Sequence, residues 1–140
     1  MGKTITELTA EKQEQRILRL APYTRESWTS EDQLHSFAAQ VKHYTEYAAQ
    51  HPEYELVDIY ADEGVTGTRM DKRDDFNRLI RDCKKGKIDR IITKSVSRFA
   101  RNTVEFLAAT RALKEMGVSI YFEEQGIDTE TVDLELMMTF

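Results

Sequence analysis

Arginine and serine are the chemically useful residues of this chain, and they fall in three short stretches. Arg25 and Ser27 lie two apart, Arg73 stands by itself, and Lys94, Arg98 and Arg101 fall within eight residues. A guanidinium presents a planar fork that pairs with two phosphate oxygens at once and keeps its proton at working pH. A serine hydroxyl is a weak nucleophile until a neighbour activates it. Four arginines with one serine therefore suggest attack of Ser27 on a phosphodiester, whose transition state gathers negative charge. Preorganised donors supply about 3–4 kcal/mol each in such roles. The same spacing has a second reading, in which the arginines pair with Asp62, Glu63, Asp71, Asp74 and Asp75 as surface salt bridges. Spacing alone leaves both open.

The elements that position these residues follow from periodicity. Ile17 to Ala21 is a strand candidate ended by Pro22. Ser30-Glu31-Asp32-Gln33 has the form of a capping box, and Leu34, Phe37, Ala38, Val41, Tyr44 and Ala48 follow at helical spacing. Leu56 to Tyr60 reads as a strand and Asp62 to Asp71 as a loop. Phe76, Leu79, Ile80 and Cys83 mark a helix stopped by Gly86. Ile88 to Thr93 is a strand, Val104, Leu107, Ala108 and Met116 mark a helix ended by Gly117, and Val118 to Phe122 is a strand. Strand and helix alternate, which predicts an α/β fold: a mostly parallel central sheet of four to five strands with helices on both faces. Ligands of such sheets bind at the carboxyl ends of the strands. All three arginine-bearing stretches fall there. If Ser97 to Asn102 enters a helix, Arg98 and Arg101 share one face a turn apart, and the helix start adds N–H donors for an anion.

Charge and composition set the bounds. The chain has 140 residues, 40% of them apolar, enough for one domain and one core. Its net charge is −5, yet residues 67–105 hold twelve Lys/Arg against six Asp/Glu, a net +6, so the remainder carries −11. That asymmetry is the footprint of an anionic ligand, and it is equally what solvated helix faces produce. A single cysteine, Cys83, excludes an internal disulfide framework and fits a reducing, cytoplasmic setting. The sequence has no 18-residue apolar run to span a membrane. It has no GxGxxG, no GxxxxGK[ST] and no Cys/His cluster of metal spacing, so no cofactor and no metal are expected. His35, His43 and His51 read as surface residues, and Asp58, Asp62 and Glu63 do not converge as a metal site. Residues 1–15 read as a flexible polar tail. Residues 132–140, apolar and without a cap, read as the start of a longer helix.

Three segments together resemble the serine recombinases (resolvases, invertases and large serine integrases), in their N-terminal catalytic domain. They are Tyr23-Thr24-Arg25-Glu26-Ser27, the stretch Tyr60 to Thr68 with Lys72-Arg73 behind it, and, with Asp32-Gln33-Leu34 and Ala39-Gln40-Val41 also similar to family positions, Lys94-Ser95-Val96-Ser97-Arg98-Phe99-Ala100-Arg101-Asn102-Thr103. The last is similar to the large-recombinase version. The resemblance runs from about Arg16 to Phe140, with residues 16–131 as the catalytic domain. It implies that Ser27 attacks DNA to form a 5′-phosphoserine link, that strands are exchanged in a tetramer and rejoined, and that neither ATP nor metal is required. By position, Arg25, Arg73, Arg98 and Arg101 would hold the scissile phosphate. Gln33, Gln40, Lys94 and Ser97 would support them. Residues 132–140 would begin a dimerisation helix, and a C-terminal region would read the DNA sequence.

Three residues depart from the family pattern: Ser97, a minor departure, stands where small resolvases carry aspartate and large members often have serine. Glu26 stands where valine is usual, and Pro22 where many members have alanine, removing a strand N–H. A carboxylate about 4 Å from a phosphate, at an effective dielectric near 20, meets roughly 4 kcal/mol of repulsion before screening. The alternative expectation is therefore a weakened recombinase-fold protein acting through dimerisation or regulation, unless Glu26 turns to solvent or pairs with Arg25.

Overall fold

The structure is a computed structural model and describes residues 16–26, 31–63 and 73–132, with side chains from Ser36 onward in the second segment. Ser27, Ser30 and the side chains of Glu31 to Gln33 in the capping box, the loop from Gly64 to Lys72, the tail 1–15 and residues 133–140 lie outside the described residues.

One mixed sheet organises the chain. Strand β1 (Leu18–Glu26) is followed by helix α1 (Glu31–Gln50), β2 (Tyr54–Leu56), β3 (Tyr60–Glu63), α2 (Asp74–Lys84), β4 (Arg90–Thr93), a short helix α3 (Val96–Phe99), α4 (Thr103–Glu115), β5 (Ser119–Phe122) and β6 (Ile127–Asp128). In space β1 is central, with β2 and β3 along one side and β4, β5 and β6 on the other. All pairings are parallel except the last, between β5 and β6. The predicted α/β architecture holds, with six strands where four to five were expected.

Alternation along the strands sends neighbouring side chains to opposite faces. Ala21, Tyr23, Ile91, Ile120 and Phe122 pack with Phe76, Leu79 and Cys83 of α2 and with Phe106 and Leu113 of α4. Leu20 and Ile92 face the other way, onto Tyr44 of α1, with Tyr47 and Tyr121 beside them. Strands buried on both faces need helices on both, which is why β4 is buried along its whole length. Burial also pushes the Cys83 thiol up to about 12, so it is a core residue and no nucleophile.

Three predicted elements are corrected. Strand β1 does not stop at Pro22 but runs on to Glu26, carrying Arg25 with it. The predicted strand Leu56 to Tyr60 is two strands separated at residues 57–59. These two corrections share a cause. Leu20 pairs with Leu56 and Tyr23 with Tyr60, so the outer chain spends one residue more than β1 over this interval. Leu20 offers its carbonyl to Val57 on that side, at 2.9 Å. Pro22, two residues on, faces the same way, and its missing N–H falls where the ladder has opened. Bulges are where a strand tolerates proline.

The third correction concerns Arg98 and Arg101. Helix α3 ends at Phe99, and Ala100 (φ −133°, ψ 145°) and Asn102 (φ −158°, ψ 172°) are extended. The two arginines therefore do not share a helical face. Helix α4 begins afresh, with Asn102 Oδ1 accepting from Glu105 N at 2.8 Å. Its buried residues are Phe106, Thr110 and Leu113, while Val104, placed on the apolar face by sequence, is 78% exposed. Gly117 closes α4 at φ +76°, in the left-handed conformation that glycine adopts freely.

Candidate active site

The carboxyl ends of β1, β3 and β4 lie side by side. Arg25 pairs with Asp62 in register, and Tyr23 lies between Tyr60 on one side and Thr93 on the other. At this edge the predicted arginines form two separate groups.

The first group joins the end of β1 to α3. Arg25 Nη2 donates to Ser97 O at 2.5 Å, and Arg98 Nη1 donates back to Arg25 O at 3.0 Å. These reciprocal bonds fix the strand end that leads into Ser27 against the helix that carries Arg98. Ser95 caps α3, accepting from Arg98 N at 3.3 Å, and its hydroxyl lies 3.1 Å from the exposed Ser97 hydroxyl. Glu26 does not point to solvent. Its side chain is 13% exposed, with Arg98 Nη1 at 3.6 Å. Gln40 Nε2 of α1 donates to its other carboxylate oxygen. Two predicted site residues, Arg98 and Gln40, thus converge on one internal carboxylate.

Arg73 and Arg101 make up the second group, joined by Glu105. Arg73 is buried, its side chain only 6% exposed. It donates to Glu105 Oε1, to Phe99 O and, at 3.3 Å, to the Tyr23 hydroxyl. Its guanidinium lies 3.8 Å from the Phe76 ring centre, a cation–π contact, and its buried Nε has no partner among the described residues. Arg101 is half exposed and donates through Nε to Glu105 Oε2 at 3.1 Å. Arg73 therefore anchors the base of the site, and Arg101 reaches its surface.

A buried carboxylate ties this group to the fold. Asp62 accepts from Tyr23 OH at 2.7 Å and from the backbone N–H groups of Asp75 and Phe76 at 2.8 and 2.9 Å. It caps α2 from outside, because Arg73 at the cap position makes no side-chain cap bond. Burial raises the Tyr23 hydroxyl well above the ordinary tyrosine range despite the nearby Arg73, so it stays protonated and donates to Asp62. This commitment removes Asp62 from any metal site, and among the described residues no acidic or His/Cys cluster fits a metal.

Lys94 is exposed beside a cleft of about 360 Å3 lined also by Gln40, His43, Tyr44 and Glu123. There Glu123 accepts from Tyr44 OH at 2.6 Å and meets His43 Nε2 at 3.0 Å. Of the acids named from sequence as salt-bridge partners, none pairs with Arg73, Arg98 or Arg101 among the described residues: Arg73 and Arg101 pair with Glu105, and Arg98 with Glu26. From sequence, Glu105 had no role, Tyr23 stood only within the family motif, and Asp62 was weighed only as a metal ligand or salt-bridge partner. The Asn102–Glu105 spacing, a helix-start signature with glutamate at the third position, was the available signal for Glu105.

The sheet edge thus carries two groups of arginines, Arg25 with Arg98 and Arg73 with Arg101, and comparison gives the class of the protein. The family described as Resolvase, N terminal domain matches residues 20–140, and the chain belongs to it. A resolvase family site-specific recombinase from Streptococcus pneumoniae is 30% identical over 86% of this chain and 82% of that one, with a TM-score of 0.71. The N-terminal catalytic domain of TP901-1 integrase shares the fold at 24% identity and TM-score 0.66, over 86% and 88% of the two chains. A serine recombinase from Sulfolobus solfataricus is 27% identical over 78% and 69%, with TM-score 0.57. No curated protein sequence matches the chain. The protein is an enzyme of the serine recombinase class, whose function is site-specific DNA recombination, with DNA as substrate and an oligomer as the working assembly.

Proposed function

We propose that Ser27 is the nucleophile. Its hydroxyl gives up a proton and attacks a DNA phosphorus, forming a P–O bond to the serine. The bond from phosphorus to the 3′ oxygen breaks, and that oxygen takes a proton to leave as a 3′-OH. The product is a 5′-phosphoserine link, which the reverse attack by a 3′-OH of the exchanged strand resolves. Arg25, Arg98 and Arg101 bind the phosphate oxygens, Arg73 supports them from below, and Gln33, Gln40, Lys94 and Ser97 assist. The observation that carries this reading is the reciprocal bonding of Arg25 and Arg98, which sets two guanidiniums at the end of the strand running into Ser27. We assign the chemistry to residues 16–131, assembly to a helix beginning in 132–140, and site choice to a DNA-reading region joined beyond them, in a cytoplasmic recombinase.

The test is a covalent adduct. The chain, fused to a DNA-reading domain of known site, is incubated with a supercoiled plasmid bearing paired copies of that site, and protein-linked 5′ ends are counted after denaturation. The wild type forms the adduct and Ser27→Ala does not. An adduct that survives in Ser27→Ala sinks the assignment.

A second reading has a specific observation behind it. Glu26 already occupies Arg98 and Gln40, so an incoming phosphate must displace it, and the protein would be a slow recombinase or a regulator of a partner. Glu26→Val decides between the two. A large rise in adduct yield supports the weakened enzyme, and wild-type yield equal to that of Glu26→Val removes it.

A further inference from the structure

We infer that Glu105 is a positioning residue for strand cleavage, acting through Arg101. The inference rests on the assignment of phosphate binding to Arg101. Three observations carry it. Arg101 sits in the extended link between α3 and α4, with its side chain 51% exposed, and a long side chain so placed samples many rotamers. The Glu105 carboxylate removes that freedom at the inner end of the guanidinium, holding Nε at 3.1 Å, and accepts from Arg101 N at 3.4 Å. Among the described residues, the outer nitrogens of the fork have no partner.

Glu105 is itself held. Asn102 Oδ1 accepts from its backbone N–H, which sets it at the third position of α4, and Arg73 binds its other oxygen from the buried side. In a capping box the glutamate at this position turns back to the N–H of the cap residue. Here it reaches one residue further, to Arg101, and across to Arg73. The chain of contacts runs from the buried Tyr23, through Arg73 and Glu105, to an arginine at the surface.

Charge gives Glu105 a second reason to exist. Two guanidiniums brought near one another repel, and a carboxylate between them offsets that repulsion. The trio Arg73, Glu105 and Arg101 carries +1, so a phosphodiester bearing −1 brings the group to neutrality.

The experiment uses the same plasmid and adduct. Rate constants at saturating DNA are measured for the wild type, Glu105→Gln, Glu105→Asp, Arg101→Ala and the double variant Glu105→Gln/Arg101→Ala. Misplacement of a reacting group by about 1 Å costs on the order of a hundredfold, so Glu105→Gln is expected to lose ten- to a hundredfold in rate, with DNA affinity within about threefold because other phosphate contacts persist. Glu105→Asp, which keeps the charge at the helix start, recovers part of the loss. The double variant is no slower than Arg101→Ala, because Glu105 acts through Arg101. Wild-type rate in Glu105→Gln overturns the inference. So does a loss that multiplies that of Arg101→Ala, since a structural defect would be independent of it. A wild type that forms no adduct, or a Ser27→Ala variant that does, defeats the parent assignment instead.

Discussion

Glu26 and Glu105 each hold arginines at the same sheet edge, but they stand in opposite relations to the chemistry. Glu105 lies at the start of a helix, set by Asn102 and backed by the buried Arg73. Glu26 lies at the end of β1, one residue before Ser27, and draws in Arg98 from α3 and Gln40 from α1. A carboxylate at a helix start is favoured by the helix dipole, and it engages Arg101 only at Nε and the backbone N. On the proposed reading, a carboxylate beside the nucleophile Ser27 takes the donors that a phosphate would use. The same residue type would therefore build one half of a phosphate clamp and compete for the other.

The difference is sharpest in stability. Arg73 is enclosed by Glu105, Phe99 O, Tyr23 and the Phe76 ring, whereas Arg98 is 38% exposed. Removing one partner of a buried pair strands the other, at about 3–5 kcal/mol, and exposed pairs contribute about 0–1 kcal/mol. Arg73→Ala should lower the urea midpoint by an amount equivalent to about 3 kcal/mol or more. Arg98→Ala should cost less, because Arg98 is itself partly exposed and Glu26 keeps the Gln40 donor. Equal losses in the two variants would mean that the halves are alike and break the comparison.

The next effect is smaller and probes how the buried half is held. Tyr23 OH joins Asp62 to Arg73. Tyr23→Phe removes one donor while Asp62 keeps its two backbone partners, so the expected loss is about 1–2 kcal/mol in thermal or chemical unfolding. No comparable loss is expected from Gln40→Ala, whose bond belongs to the Glu26 side. A Gln40→Ala loss as large as that of Tyr23→Phe would contradict the division.

What the sequence disclosed and what it concealed follow the same division. Alternating periodicity placed the helices and strands, because apolar spacing is a local property, and Gly86 and Gly117 marked two helix ends at positive φ. The passage of β1 through Pro22 depends on a bulge in the neighbouring strand, so no pattern within residues 17–22 contains it. The arginine positions were legible from residue type and spacing. Their grouping was not: a continuous helix would have joined Arg98 to Arg101, but Ala100 and Asn102 are extended, and Arg101 turns to Arg73 from a segment 28 residues earlier through Glu105. Glu26 was legible as a misplaced charge. That it is answered by Arg98 and Gln40, far apart in sequence, requires the packing of α1 and α3 against the end of β1.

The smallest expected effect bears directly on the competing half. Inorganic phosphate is a probe that needs no DNA site, and it can be titrated while the backbone amides of Ser97 and Arg98 are followed by NMR. If Glu26 competes for Arg98 through a partly exposed pair worth about 1 kcal/mol at most, Glu26→Gln should tighten phosphate binding by up to about fivefold. Glutamine keeps the side-chain length and a carbonyl to accept from Gln40, so the change isolates the charge. Glu105→Gln should shift the same titration less, because its arginines are held in another group and Arg98 is not among its partners. The gain should shrink as salt rises, since screening weakens an exposed pair. A tightening that persists at high salt, or one that appears equally in Glu105→Gln, would show that the two carboxylates act on a single shared field of charge and not on two separate sets of donors.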